Sequence, residues 1–180
     1  VSNAGSPLTD LLALEAIRLL GAHLRPAIEN PENLEFRALT MRGSLYAGLA
    51  FTNASLGLLH AMAHSLGGYL DIQHGESNAL LLKGVVAYNF DAAPEKYAAI
   101  GEALGLPMYG SRSIDQKHIL LESIEGLNAE LRVGKPLAKL GVRRSDLAEL
   151  AARALNDPCI ATNPRQPTET EVEEIYEQAL

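Results

Sequence analysis

The sequence predicts an all-α domain, and three observations carry that reading. Leu and Ala dominate the apolar residues, which favours helix over sheet. Helix-opening residues recur just before apolar runs. No stretch of useful length alternates apolar and polar residues as a half-buried strand does. The 180 residues are 47% hydrophobic and 5% aromatic, with no Trp. That length suits one domain with a substantial core.

The elements follow in order. Ser6 is an N-cap and Pro7 fits the first helical position, so a helix starts there and runs through Leu11, Leu12, Leu14, Ile17 and Leu19 to about Pro26. Asn30-Pro31-Glu32-Asn33 is a turn. A second helix covers Leu34 to about Leu49, with Gly43, Ser44, Ala47 and Gly48 spaced for close helix contact. Phe51-Thr52-Asn53 reads as a break, and a third helix runs from Ala54 to Leu66. That third stretch is almost without charge and should be buried. A fourth extends from about Glu76 to Ala87. Ala93-Pro94 opens a fifth, closed by Gly105-Leu106-Pro107. The next covers Ile114 to Asn128, with connectors at Gly134-Lys135-Pro136 and Gly141-Val142. Ser145-Asp146-Leu147 caps a helix to about Leu155, ended by Asn156-Asp157-Pro158. Thr162 to Pro167 is rigid coil, in which Asn163 and Arg165 can tie the coil to the domain by hydrogen bonds. Thr168 and Glu171 form a capping box for the last helix, which ends near Ala179. Seven or eight helices result.

Charge and cysteine usage exclude several classes. The net charge is −7, and the sequence pI is about 5.2. A nucleic-acid surface needs a basic patch, and none is present. No charge-free apolar run reaches the ~18 residues of a membrane span, and no signal peptide is visible. One cysteine, Cys159, rules out an internal disulfide and points to a reducing cytoplasm. The opening Val1-Ser2-Asn3-Ala4-Gly5 reads as chain from the middle of a longer protein.

Chemistry concentrates in one segment. His60, His64 and His74 fall within fifteen residues, and the chain has five histidines. His60 and His64 share one helix face. His74 would lie ~21 Å beyond His60 on an unbroken helix, at ~1.5 Å per residue. Nitrogens on one metal ion must each lie ~2.0–2.1 Å from it. The Gly67-Gly68 pair offers a stop and a turn back, after which the three histidines converge. A zinc-protease motif is excluded, because Ala61 and not Glu follows His60. A closed structural zinc site needs four ligands, and Cys159 is remote in sequence.

These residues carry a family resemblance. Phe51-Thr52-Asn53-Ala54-Ser55-Leu56-Gly57, His60-Ala61-Met62-Ala63-His64, Leu66-Gly67 and His74-Gly75-Glu76-Ser77-Asn78-Ala79-Leu80-Leu81-Leu82 resemble the signature of the iron-containing (group III) alcohol dehydrogenases. Ser6 to Asp10, and Cys159 with Thr162 to Arg165, resemble the same family. The likeness covers essentially the whole chain. One departure is Lys83, where the family commonly has Pro.

The resemblance implies an NAD(P)-dependent oxidoreductase acting on small alcohols and aldehydes, with a C-terminal helical domain of dehydroquinate synthase-like type. Residues 1–180 would be that single metal-binding domain. The α/β dinucleotide-binding domain would be absent, in keeping with the lack of a Gly-x-Gly-x-x-Gly fingerprint. Of four family metal ligands, one Asp and three His, His60 matches the third and His74 the fourth. His64 matches a histidine near the nicotinamide credited with a catalytic role. The first two ligands would precede Val1, and Asp10 does not replace them. A divalent metal, Fe2+ or Zn2+, is implied, with NAD(P) held by the other domain and a homo-oligomer compatible. Asp71 can orient a ligand imidazole or is a solvated loop residue. The alternative readings are a non-catalytic helical interaction module derived from this fold, and a histidine-ligated metal or haem carrier.

Overall fold

A computed structural model describes residues 1–180. It contains eight α-helices and four short 3-10 turns: α1 (Pro7–Glu29), α2 (Leu34–Ala54), α3 (Leu58–Leu70), α4 (His74–Asn89), α5 (Pro94–Ala103), α6 (Ser113–Leu131), α7 (Leu147–Leu155) and α8 (Glu169–Gln178). No strand forms, in keeping with the helix-favouring composition. No helix is long and apolar enough to cross a membrane. The chain divides into two compact units, residues 1–55 with 93–120 and residues 56–92 with 121–180.

The first unit is built on an antiparallel pair, α1 and α2. Ser6 caps α1 in a reciprocal box with Thr9. The helix continues past Pro26 to Glu29, where Asn30 N–H closes on the Pro26 carbonyl at 2.9 Å. Gly43 makes the pair close, since a Cβ there would meet Leu20 Cγ at 2.9 Å. Gly48 plays no such part, because a Cβ there would meet nothing within 4 Å. His23 stacks on Phe36 with ring centres 6.3 Å apart, a structural role for that histidine. Along α2, Met41, Leu45 and Leu49 line one exposed face at successive turns.

The second unit holds the main core. Leu58, Met62 and Leu66 of α3 pack with Leu81 and Val85 of α4, Leu147 and Leu150 of α7, and Val172, Ile175 and Tyr176 of α8. The 3-4 spacing of Leu58, Ala61, Met62, Ser65 and Leu66 puts the buried stripe on one side of α3. Three buried long-range bonds fix this helix. Tyr176 Oη donates to the Met62 carbonyl at 2.8 Å, and Ser65 Oγ to the Leu150 carbonyl at 2.8 Å. The first N–H of α3, on Leu58, is capped from afar by Asn163 Oδ1 at 3.1 Å. Gly57 must be glycine for this, because a Cβ would meet that oxygen at 2.9 Å.

Two boundaries flanking α3 differ from the sequence reading. Phe51-Thr52-Asn53 is the last turn of α2 and not a break, and the chain turns instead at Ser55, with φ +59°. Ala54 therefore ends α2 and does not start α3. The glycine pair does not stop α3 either. The helix passes through Gly67 and Gly68 to Leu70 and ends where Asp71 takes the left-handed conformation at φ +55°. Glycine lowers helix propensity by only ~1 kcal/mol, which tertiary burial overrides. Asp is one of the few residues that enters the left-handed region readily. Asp71 is thus the exposed helix-ending residue.

Candidate metal centre

The turn after α3 is three residues long. Ile72 anchors it by burial, with 9% of its surface exposed. Gln73 then caps α4 through its side chain, which accepts from Glu76 N–H at 3.0 Å. The helix starts two residues earlier than the sequence suggested, so His74 is its first residue. Reversal of the chain brings His74 back beside α3, as the spacing argument requires.

His60, His64 and His74 form a triangle. Their ring centres lie 6.0 Å apart for His60 and His64, 5.4 Å for His60 and His74, and 5.4 Å for His64 and His74. A metal nitrogen bond of ~2.0–2.1 Å puts a ring centre ~3.2 Å from the ion, so two tetrahedral imidazoles have centres ~5.3 Å apart. The observed spacing is that of imidazoles able to share an ion. Burial, then the neighbouring His74 and His64, push His60 below the ordinary imidazole value, with Asp157 opposing. A depressed value keeps the ring neutral, which is the ligating form.

His74 has a defined partner. Asn78, one turn along α4, donates through Nδ2 to His74 Nε2 at 3.0 Å and to the His74 carbonyl at 2.9 Å. That nitrogen is therefore unprotonated, and its lone pair is engaged by the Asn78 amide, which an ion ligated there would displace. Asn78 Oδ1 is buried with no hydrogen-bond partner. A buried acceptor left open beside the imidazoles marks a place where a further polar group would be welcome. Donor type, spacing and this orphan oxygen all fit a divalent cation.

His64 is held from another quarter. Its Nδ1 donates to Asp157 Oδ2 at 2.9 Å. Asp157 is the N-cap of the 3-10 turn Pro158–Thr162, and its Oδ1 accepts from Cys159 N–H at 2.8 Å. Burial works to raise the Asp157 carboxyl, but the Cys159 N–H, the Cys159 thiol and His64 outweigh it, and the value lies below the usual carboxylate range. Burial first, then Asp157, pushes the Cys159 thiol up to about 11. His64, Asp157 and Cys159 bring their ligand atoms within 4.8 Å of one another.

The three histidines singled out in the sequence are thus together. Asp157 is the neighbour that sequence reasoning missed, and Cys159, set aside there as remote in sequence, lies beside it. Ninety-three residues separate Asp157 from His64, and its sequence context read only as a helix end. The sole available signal was the chain's single cysteine two residues on. Asn163 does tie its coil down, by a reciprocal amide pair with Asn89 at 3.0 and 2.9 Å. Arg165 is engaged with Glu171 and lies 4.2 Å over the Tyr88 ring. Lys83 pairs with Glu125 at 2.6 Å on the surface.

Residues 1–180 match the model of the Fe-containing alcohol dehydrogenase family, C-terminal part. The chain is 41% identical to 1,3-propanediol dehydrogenase of Citrobacter freundii over 180 residues, all of this chain and 46% of that protein. It is 36% identical to lactaldehyde reductase of Escherichia coli (strain K12) over 173 residues, 96% of this chain and 44% of the relative. The crystal structure of a 1,3-propanediol oxidoreductase superposes with a TM-score of 0.96 at 40% identity, covering 99% of this chain and 47% of that one. An alcohol dehydrogenase from Oenococcus oeni also superposes with a TM-score of 0.96, at 33% identity, over 100% of this chain and 47% of that one. The chain spans about half the length of the relatives it matches. Matched over its whole length, the chain belongs to the iron-containing alcohol dehydrogenase family, as that family's C-terminal helical domain.

Proposed function

We propose that these 180 residues are the metal-holding half of an NAD(P)-linked alcohol dehydrogenase that interconverts small alcohols and aldehydes or ketones. The observation that carries this is the triangle of His60, His64 and His74 at ring spacings of 5.4–6.0 Å. His60 and His74 are the two metal ligands from this chain. The other two family ligands, an Asp and a His, and the nucleotide-binding domain lie outside residues 1–180. A divalent cation, Fe2+ or Zn2+, supplies Lewis-acid polarisation of the alcohol or carbonyl oxygen when bound, and NAD(P) supplies the hydride acceptor or donor.

The chain's own residues then have separate tasks. His60 is kept neutral by burial and by its histidine neighbours, ready to ligate. Asn78 holds the His74 ring in orientation. His64, with Nδ1–H directed to the Asp157 carboxylate, keeps its Nε2 lone pair free to accept a proton. Its side chain is 42% exposed, so that proton has a route to water. Asp157 stabilises the imidazolium that forms, as a carboxylate behind a working histidine does. A cytoplasmic setting suits the single free cysteine.

The test has two arms. The 180 residues by themselves should oxidise no short alcohol with NAD, because two ligands and the nucleotide site lie elsewhere. The intact protein should do so, with activity that a chelator removes and a divalent metal restores. Turnover by the 180 residues alone, or a chelator-resistant intact enzyme, would overturn the proposal.

A further inference from the structure

We propose that His64, Asp157 and Cys159 form a second cation site, separate from the His60 and His74 pair, that takes a thiophilic divalent ion such as Zn2+. Their ligand atoms all lie within 4.8 Å of one another, and two of them are already 2.9 Å apart. Tetrahedral donors at bond lengths of ~2.0–2.1 Å for nitrogen and oxygen and ~2.3 Å for sulfur sit ~3.3–3.6 Å apart. Closing the set on an ion needs side-chain shifts of roughly 1 Å. Local backbone prepares it. The Asp157 cap holds carboxylate and thiol on one 3-10 turn, through the 2.8 Å bond to Cys159 N–H. His64 reaches them from α3, across the same unit.

Donor chemistry selects the ion. One thiol, one imidazole and one carboxylate suit zinc-like ions and not Mg2+ or Ca2+. Three protein ligands leave a fourth position for water. None of the three is fully buried, so an ion can enter from solvent.

Binding is a proton exchange with no change of oxidation state. The Cys159 S–H bond breaks, a sulfur–metal bond forms, and one proton leaves to the buffer. His64 ligates as neutral imidazole through Nδ1, and its ring proton resides on Nε2. Asp157 exchanges its bond to His64 for the ion. With Nε2 protonated, His64 no longer accepts a proton, so an ion here blocks the transfer step proposed above. The site itself does not rest on that step, because its ligands and its readout depend on Cys159.

Titration of the 180-residue chain with Co2+ and Cd2+ near pH 8 tests this. The readouts are thiolate-to-metal charge-transfer absorption and protons released per ion. One thiolate band per chain is expected, with about one proton released per ion as the thiol deprotonates. The band should vanish in Cys159→Ser and in Cys159→Ala, weaken at least tenfold in affinity in His64→Ala and Asp157→Asn, and persist in His60→Ala and His74→Ala. Circular dichroism on each variant secures the comparison among folded chains. No thiolate band overturns the proposal. So does a band indifferent to His64→Ala and Asp157→Asn, or one lost in His60→Ala, which would assign the thiol to the histidine triangle.

Discussion

His64 Nδ1 and Asp157 Oδ2 lie 2.9 Å apart although 93 residues separate them. The bond links the middle of α3 to the N-cap of the turn after α7. It fixes the tautomer of the histidine, leaving Nε2 unprotonated in the neutral ring. The proton-transfer role proposed for His64 depends on that tautomer.

Asp157→Asn in the intact enzyme should therefore lower kcat by ~10- to 100-fold, the usual scale for removing a carboxylate behind a functional imidazole. KM should change much less, and Asp157→Glu should recover part of the loss. Steady-state kinetics of the three proteins check it. A raised KM at unchanged kcat would mean that Asp157 shapes binding and not proton transfer.

Asn163 is the keystone of the α3 start. It accepts from Leu58 N–H at 3.1 Å and pairs with Asn89 in both directions, at 3.0 and 2.9 Å, while only 1% exposed. Asn163→Ala strands the Leu58 N–H and the Asn89 amide. Each buried unsatisfied group costs ~1–3 kcal/mol, so a loss of about 3 kcal/mol is expected in urea unfolding. A loss below about 1 kcal/mol would show that water replaces the amide at no cost.

Much of this was legible from residue patterns. The capping boxes at Ser6 and Thr168, the helix start at Pro94 and the convergence of three histidines follow from local chemistry. The true end of α3 was not legible. Gly67 and Gly68 looked like the stop, yet a Cβ at Gly67 would meet the Ile72 carbonyl at an ordinary 3.6 Å and one at Gly68 nothing within 4 Å. Neither glycine is demanded by the backbone, and the stop is Asp71. The contribution of Asp157 was invisible for another reason. Contacts across 93 residues leave no periodic trace in a single sequence. Nor does the cap of α3, which comes from Asn163 and not from a neighbouring residue.

Tyr176 separates hydrogen bonding from packing. It is fully buried and donates to the Met62 carbonyl at 2.8 Å. Tyr176→Phe should cost about 1 kcal/mol, the net worth of one neutral hydrogen bond. Tyr176→Ala should cost ~3–5 kcal/mol, as large aromatic truncations do. Thermal or denaturant unfolding of the pair reads the difference. Equal losses would mean that the bond, and not the ring, carries the contact.

Acid should act through Asp146. Asp146 is 5% exposed, and its carboxylate accepts from Arg143 N–H at 2.9 Å. That backbone bond, with the Arg143 side chain and Ser145, holds its carboxyl below the usual range against burial. The unfolded chain then binds the proton more tightly than the folded one. The stabilisation is present above the unfolded value of ~3.9 and is lost as pH falls through the lower folded value. Asp146→Asn should flatten this part of the acid-unfolding curve. An unchanged curve below pH ~4 would remove Asp146 from the account.

Metal analysis of the intact protein tests the central assignment most directly. In a Cys159→Ser background, which removes the second site, stoichiometric divalent metal should be present with the three histidines intact and in His64→Ala, and should be lost in His60→Ala and His74→Ala. His64→Ala should keep its metal while losing turnover. Metal retained in His74→Ala, or lost equally in His64→Ala, would contradict the division of the three histidines into two ligands and one proton carrier.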